Sequence, residues 1–505
     1  MKAAPVYLTR TAPAYLDAPP FHPDQEYPEY PFCGRRAIGM QPNPAYAGIR
    51  QLFRLAGLDA GRYGTPHWNP LGALVRPGNR VLLKPNLVYH RHPVAADGWR
   101  AVLTHGSVIR AVLDYVAIAL AGSGEVSIGD VPLQSADFDA VARFAGLDAI
   151  RDFYQRDSGR EVPIRDLRVL RVVANDAGAI VQSEHVRGDP RGTVAVDLRA
   201  ASMHARGPDR GRRLRVSDYD RSVTVLHHTG GRHEYCIART ALEADVFINL
   251  PKLKTHCKAG VTIALKNLIG INADKSWLPH YASGSSTSGG DEYETASIVG
   301  WLRSVAKERL YDRPLLHRVV RTVGTPLLRL QARREADAAN LPPEASPIGG
   351  GAWRGNDTVW RTIIDLNRIL LYARPDGSMA ETPQRRYLAL VDGIIAGQGQ
   401  GPLAPDPLPA GALLLGENPV AVDVVGATLL GMDPARLPQI ARAFDASDHP
   451  LIAGSAEDVE VISDVPEWSG GMEALRRHSL HAIAPVGWRG CVEISEPDAP
   501  GRHAL

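Results

Sequence analysis

The chain has 505 residues, 44% of them hydrophobic and 22% charged, the make-up of a globular protein with a full core, not of a long disordered chain. A formal net charge of +2 at pH 7 is too near balance to suggest nucleic acid or a membrane surface as the main partner, so any basic site has to be local. Four scattered cysteines, Cys33, Cys236, Cys257 and Cys491, contain no C-x-x-C pair, which argues against a cysteine-held zinc or iron–sulfur cluster and fits a reducing, cytoplasmic setting.

The first residues form no apolar run suited to a signal peptide, and the longest apolar stretch, 420–430, is interrupted by Asp423 and is too short to span a bilayer. Residues 1–77 are rich in Pro, Tyr and Gly, with one helix expected at 45–55, and read as an extended lead-in packed on the first domain. From 78 to 270 the pattern predicts a first α/β domain: strand 80–83, helix 107–120, strand 125–128, helix 136–144, then strand 245–250. Within it, 160–235 reads as an antiparallel elaboration with short strands at 167–173, 194–198 and 222–226.

Residues 271–357 read as an insertion, with a flexible loop at 283–290 and helices at 292–309 and 315–338. A second α/β domain is expected over 358–480: helix 358–372, strands 387–391 and 412–415, helices 419–430 and 434–444, and strand 459–462. Residues 481–505 form a tail. The fold class is therefore α/β, with mostly parallel sheets.

In open α/β sheets, ligands bind outside the carboxyl ends of the strands. Here five apolar strands run into polar residues: Lys84 and Asn86, Asp130, the segment 251–267, Asp392 with the Gly-rich 397–401, and Glu417–Asn418. The densest is PKLKTHCKAGVTIALKN. If 251–258 is extended, Lys252, Lys254, His256 and Lys258 fall on one side and Leu253, Thr255 and Cys257 on the other. Cations crowded on one face repel unless an anion joins them. A helical run is expected from Thr262 to Ile269, with Lys266 and Asn267 inside it. The competing reading is a solvated edge strand guarded by lysines.

Other residues have plainer readings. The carboxylate pair Asp291-Glu292 near His280 suits a divalent metal, yet Asp291 with Glu294 also has capping-box spacing. Asp365 between Arg361 and Arg368 fits a surface ion-pair ladder. Asp423 lies among valines and needs a partner, which a lysine of the basic segment would supply.

Lys84-Pro85-Asn86, Thr104-His105, Gly129-Asp130, PKLKTHCKAGVTIALKNLIGIN, Lys275, Trp277-Leu278-Pro279-His280, Gly289-Gly290-Asp291, Asp365-Leu366-Asn367, VDGIIAGQGQGP and ENPVAVD resemble the domain of unknown function 362 family, over about residues 78–445. Some members of that family carry a ferredoxin-like cluster domain, whose cysteines this chain lacks. The segment is also similar, more distantly, to the nickel-pincer lactate racemase family, where a His acts as acid/base and a Lys ten positions on anchors the cofactor. His256 and Lys266 share that spacing, although Thr255 stands where that family has Pro, and Ala264-Leu265 replace paired glycines.

The expectation is an enzyme acting by acid/base chemistry (racemase, isomerase or hydrolase type) on a carboxylate- or phosphate-bearing small molecule between the two domains. The catalytic candidates are His256, Lys266 and Asp130. Lys84, Asn86, Lys252, Lys254, Asn267, Lys275 and His280 bind the anion, with Lys266 contributing to it. Asp291, His280, Asp392 and Asp423 are the candidates for a divalent metal. The alternatives are a non-catalytic anion- or cofactor-binding accessory protein and a metal- or cluster-dependent redox protein. Neither a nucleic acid nor a membrane is expected as a partner.

Overall fold

The computed structural model describes residues 5–494, apart from 33–36, 175–179, 208, 217–218 and 295–349. The helices expected at 292–309 and 315–338 lie almost wholly outside the described residues. Ten strands form the main sheet. In chain order they are β1 (Val6–Arg10), β2 (Arg80–Pro85), β3 (Glu125–Asp130), β4 (Ile164–Asp166), β5 (Val246–Leu250), β6 (Lys252–His256), β7 (Gly260–Thr262), β8 (Arg386–Gln400), β9 (Ala404–Gly416) and β10 (Val461–Ser463).

The spatial order is β10-β1-β9-β8-β5-β2-β3-β4, and β6 lies against β8 with β7 beside it. From β8 through β5, β2 and β3 to β4 all pairings are parallel, while β9 runs antiparallel to both β1 and β8. The α/β units expected at 78–270 and 358–480 thus meet in one sheet, where β5 pairs with β8, and the lead-in supplies β1.

Side-chain alternation along the strands separates two cores. Val81, Leu83, Val246, Ile248, Leu388 and Leu390 point to one, and Leu82, Phe247, Tyr387, Ala389 and Val391 to the other. Helices α1 (Pro44–Leu55) and α2 (Gly106–Leu120) cover the first face. The short α3 (Ala264–Asn267), α4 (Val359–Tyr372) and α5 (Pro419–Leu430) cover the second. Asn418 starts α5 by accepting from the Val420 and Ala421 N–H groups, with Pro419 at the first helical position. No single helix among the described residues is long and apolar enough to cross a membrane.

Several local expectations change. Residues 222–226 lie in a helix, Arg221–His227, because Asp220 caps it through the Ser222 N–H and outweighs the β-branched composition. The helical run expected from Thr262 shrinks to α3: Gly260–Thr262 is drawn into a hairpin with β6, where Lys254 faces Thr262. The Gly-rich 397–401 is strand for most of its length. At Gly401 a Cβ would sit 1.9 Å from the Thr255 carbonyl oxygen, so the glycine serves close approach of β6. The helix expected at 434–444 is broken into three short turns, as Pro438 removes an N–H inside it.

Asp365 is fully buried and not on the surface. It accepts from Ser202 Oγ, the Met203 N–H and Tyr235 OH, while Arg361 pairs with Asp357 instead. The antiparallel elaboration is present as pairs Leu170–Ala174 with Ile180–His185 and Thr193–Asp197 with Glu234–Ala238.

Candidate functional site

The carboxyl ends of β2, β3, β5 and β8 gather the polar residues, and β6 follows β5 after Pro251 and continues parallel alongside β8. In register, Lys84 sits beside Asn249, and Lys252 beside Asp392. The basic row is interior: Lys252 and Lys254 have no exposed surface, and His256, Lys84, Lys275 and Lys266 are buried as well. The edge-strand reading fails on this point, since lysines that guard an edge must reach water.

Two of these lysines are neutralised. Lys84 Nζ lies 2.7 Å from Asp130 Oδ1, and Asp130 also accepts from the Leu87 and Val131 N–H groups, so both carboxylate oxygens are engaged. Lys252 Nζ lies 3.1 Å from Asp392 Oδ2 and donates to the Tyr15 hydroxyl, which in turn donates to Asp392 Oδ1 at 2.5 Å. The other Asp392 oxygen accepts the His105 N–H. Tyr15, stacked on His105 with ring centroids 4.0 Å apart, therefore seals this pair from solvent.

Three lysines lack a carboxylate partner among the described residues. Lys254 Nζ donates to the carbonyl oxygens of Val102 and Pro402, and Lys275 Nζ to that of Ile269. Lys266 makes no hydrogen bond there. Burial pulls the Lys254 and Lys275 amines well below their ordinary value, aided for Lys254 by Lys252 and for both by Lys266 and Lys84, while the Asp130 charge opposes it. Lys266 falls to about 8, from burial first and then the positive charges of Lys258 and Lys84.

An amide hub holds the floor. Asn267 Oδ1 accepts from Lys84 Nζ at 3.1 Å and Asn86 Nδ2 at 3.0 Å, and its Nδ2 donates to Asn249 Oδ1 at 2.7 Å. At Gly270, on the short turn after α3, a Cβ would fall 2.0 Å from Asp130 Oδ1 and 2.5 Å from Lys84 Nζ. Only glycine lets that backbone close over the ion pair.

The two histidines have opposite tautomers. His256 Nδ1 accepts from the backbone N–H groups of Lys258 and Ala259, so its proton sits on Nε2. His280 Nδ1 faces the Leu278 carbonyl at 2.9 Å and must carry the proton, which leaves Nε2 as a lone-pair base. Both are held neutral, well below the usual histidine range, by burial and then by surrounding lysines, Lys266 and Lys258 among them. A donor and an acceptor imidazole thus sit in one lysine field.

The metal candidates are dispersed. Asp291 accepts from the Ala282 and Asp357 N–H groups and from Thr358 Oγ1, fastening the 280s to the start of α4; a helix following it would lie outside the described residues. Asp392 is spent on Lys252. Asp423 Oδ1 accepts the Leu265 N–H, and no lysine pairs with it among the described residues: the backbone of α3 stands where the lysine was expected. Among the described residues no three His, Cys, Asp or Glu side chains converge as a metal would require. Neither Asp130 nor Asp392 hydrogen-bonds His256.

A 430 Å³ cavity borders the end of β6, lined in part by Tyr89, His92, Leu133, Cys257, Pro402 and Leu403. Cys257 follows His256 in the chain, and the Pro402 carbonyl is the one Lys254 holds. A larger cavity of 510 Å³ opens at the opposite, amino ends of β2 and β3, near Arg80 and Glu125, away from all these groups.

Tyr15, Asn249 and Gly270 escaped sequence reasoning. Asn249 had a signal, an amide inside an otherwise apolar central strand, which must find partners when buried. Tyr15 had none, lying among prolines far along the chain from Lys252.

Among characterised proteins, a thylakoid-associated protein of Synechocystis sp. is 22% identical over 373 residues, covering 74% of this chain and 69% of that one. No solved structure matches. The family model described as Domain of unknown function (DUF362) matches residues 167–428, a span that includes β5, β6, α3 and Asp423. With more than half of its length matched, the lysine-bearing segment included, this chain belongs to the domain of unknown function 362 family.

Proposed function

We propose that the protein binds the carboxylate or phosphate of a small molecule at the carboxyl ends of β2, β5 and β6, and acts on it by acid/base chemistry of the racemase, isomerase or hydrolase type. The observation that carries this reading is the trio Lys254, Lys266 and Lys275, buried around His256 and His280 without a carboxylate of their own. Burying such amines is costly, and an incoming anion would offset the cost by charge-assisted hydrogen bonds.

Lys254 and Lys275 hold the anion in this reading. His256 Nε2–H donates to the oxygen that gains charge, and His280 Nε2 takes the proton that leaves. The 430 Å³ cavity admits the rest of the molecule. Cys236, Cys257 and Cys491 are unpaired, which suits the reducing cytoplasm as its location.

Titration calorimetry with inorganic phosphate and with lactate tests binding. Because the amines are held below their ordinary value, an anion raises them again and the complex takes up protons near pH 7. The measured heat should therefore vary with the buffer's ionisation enthalpy, and affinity should fall as pH rises. Absence of saturable binding at pH 7, or binding unaltered in Lys254→Met and Lys275→Met, would remove the reading. Exchange of a substrate C–H for deuterium in heavy water, lost in His280→Gln with binding retained, tests the chemistry.

A further inference from the structure

Lys266 differs from every other lysine of the cluster in having no hydrogen-bond partner among the described residues, while only 8% of its surface is exposed. The other buried amines of the row all have acceptors: Lys84 and Lys252 reach carboxylates, and Lys254 and Lys275 reach backbone carbonyl oxygens. It stands on α3 between Leu265 and Asn267, with both histidines in its field. We infer that Lys266 is a nucleophile that forms a Schiff base with the carbonyl carbon of an oxo acid, a small molecule carrying a ketone or aldehyde next to its carboxylate. The inference rests on the anion-binding reading above, and it narrows the substrate class.

The geometry supplies the parts. Lys254 and Lys275 take the carboxylate. The neutral Lys266 amine adds to the carbonyl carbon, so that a C–N bond forms and the C=O electron pair moves onto oxygen, where His256 Nε2–H donates. His280 Nε2 carries a proton from the nitrogen to that oxygen. The C–O bond then breaks, the oxygen leaves as water with the two hydrogens that the amine began with, and a C=N bond remains. Amine and carbonyl go in, imine and water come out, with no oxidant or reductant. Crowding by Lys258 and Lys84 in a desolvated setting keeps a usable share of the amine unprotonated, with its pKa down to about 8.

The test treats the full chain with pyruvate and cyanoborohydride at pH 7, with lactate as the carbonyl-free control, and locates reduced adducts by peptide mass spectrometry. The expected result is labelling of the Lys266 peptide faster than any surface lysine by at least about tenfold, since each unit of pKa changes the free-amine fraction about tenfold. Labelling should vanish in Lys266→Arg and slow in the presence of inorganic phosphate. Should the arginine variant fail to fold, the labelling rate of the Lys266 peptide against the surface lysines in the unaltered protein still decides. Adducts spread evenly over surface lysines, or none on Lys266, overturn the inference. If phosphate binds saturably and Lys266 stays unlabelled, the nucleophile fails and the anion site survives. If Lys266 is labelled without phosphate protection, the nucleophile survives and the anion site fails.

Discussion

At the scale of single residues, Asp423 and Gly270 are the sharpest cases. Burial raises the Asp423 carboxyl well above its ordinary value, with the N–H groups of Leu265 and Ala264 opposing, and Oδ2 has no partner among the described residues. An acid that binds its proton more tightly when folded contributes its full stability below the unfolded pKa, and loses it as pH climbs through the folded one. Asp423→Asn cannot ionise and keeps an oxygen for the Leu265 N–H. Its melting temperature should match the unaltered protein at and below about pH 4, the ordinary aspartate range, and exceed it increasingly as pH rises. Melting curves that stay parallel across that range would show that Asp423 has a cationic partner after all. Gly270→Ala places a methyl group against Lys84 and Asp130 in a site with no slack. The expected loss is about 1–3 kcal/mol in urea unfolding, together with lost phosphate binding.

At the scale of elements, the lead-in is part of the site. Tyr15 donates to Asp392, accepts from Lys252 and accepts the Ile395 N–H, so the segment after β1 ties β6 to β8. Tyr15→Phe removes one hydroxyl and leaves a buried ion pair underserved, a cost of about 1–3 kcal/mol by chemical denaturation. Asp392→Asn is worse. It strands Lys252 without a counter-charge where nothing is exposed, and about 3–5 kcal/mol should go. A Tyr15→Phe loss as large as that of Asp392→Asn would mean that the hydroxyl, not the charge, holds the pair.

The same elements show what was legible in the sequence. The start of α5 was readable because Asn418-Pro419 is a local signal. β6 was readable as extended, with its lysines to one side, because alternation is local too. The shortening of α3 was not, since it depends on Thr262 meeting Lys254 across a hairpin. Nor was the burial of Asp365, whose i+3 and i−4 arginines suggest a surface ladder until Ser202 and Tyr235 arrive from elsewhere in the chain. In the candidate site, the lysines and His256 announced themselves as a row. Their sorting into paired and unpaired amines depends on Asp130, Asp392 and Tyr15, which only the tertiary fold brings in.

At the scale of the molecule, one sheet joins what sequence rhythm divides. Composition and alternating elements indicate two α/β units, and each contributes strands, but β5 of the first pairs with β8 of the second over Val246–Asn249. All but one of the β5 residues point into a core on one face or the other, and none of the five is exposed. Cutting the chain between the units would convert this central strand into a bare apolar edge with unpaired N–H and C=O groups. A fragment of residues 78–270 should therefore fail to unfold cooperatively and should aggregate. Coexpression with 358–494 and the lead-in should restore the sheet and, with it, phosphate binding. The measurement is circular dichroism melting of the fragment alone beside the reassembled mixture. A fragment 78–270 that melts sharply and binds phosphate without its partner would mean that Asp392 and Tyr15 are dispensable. The basic row would then belong to a self-sufficient domain, not to the seam where β6 crosses onto β8.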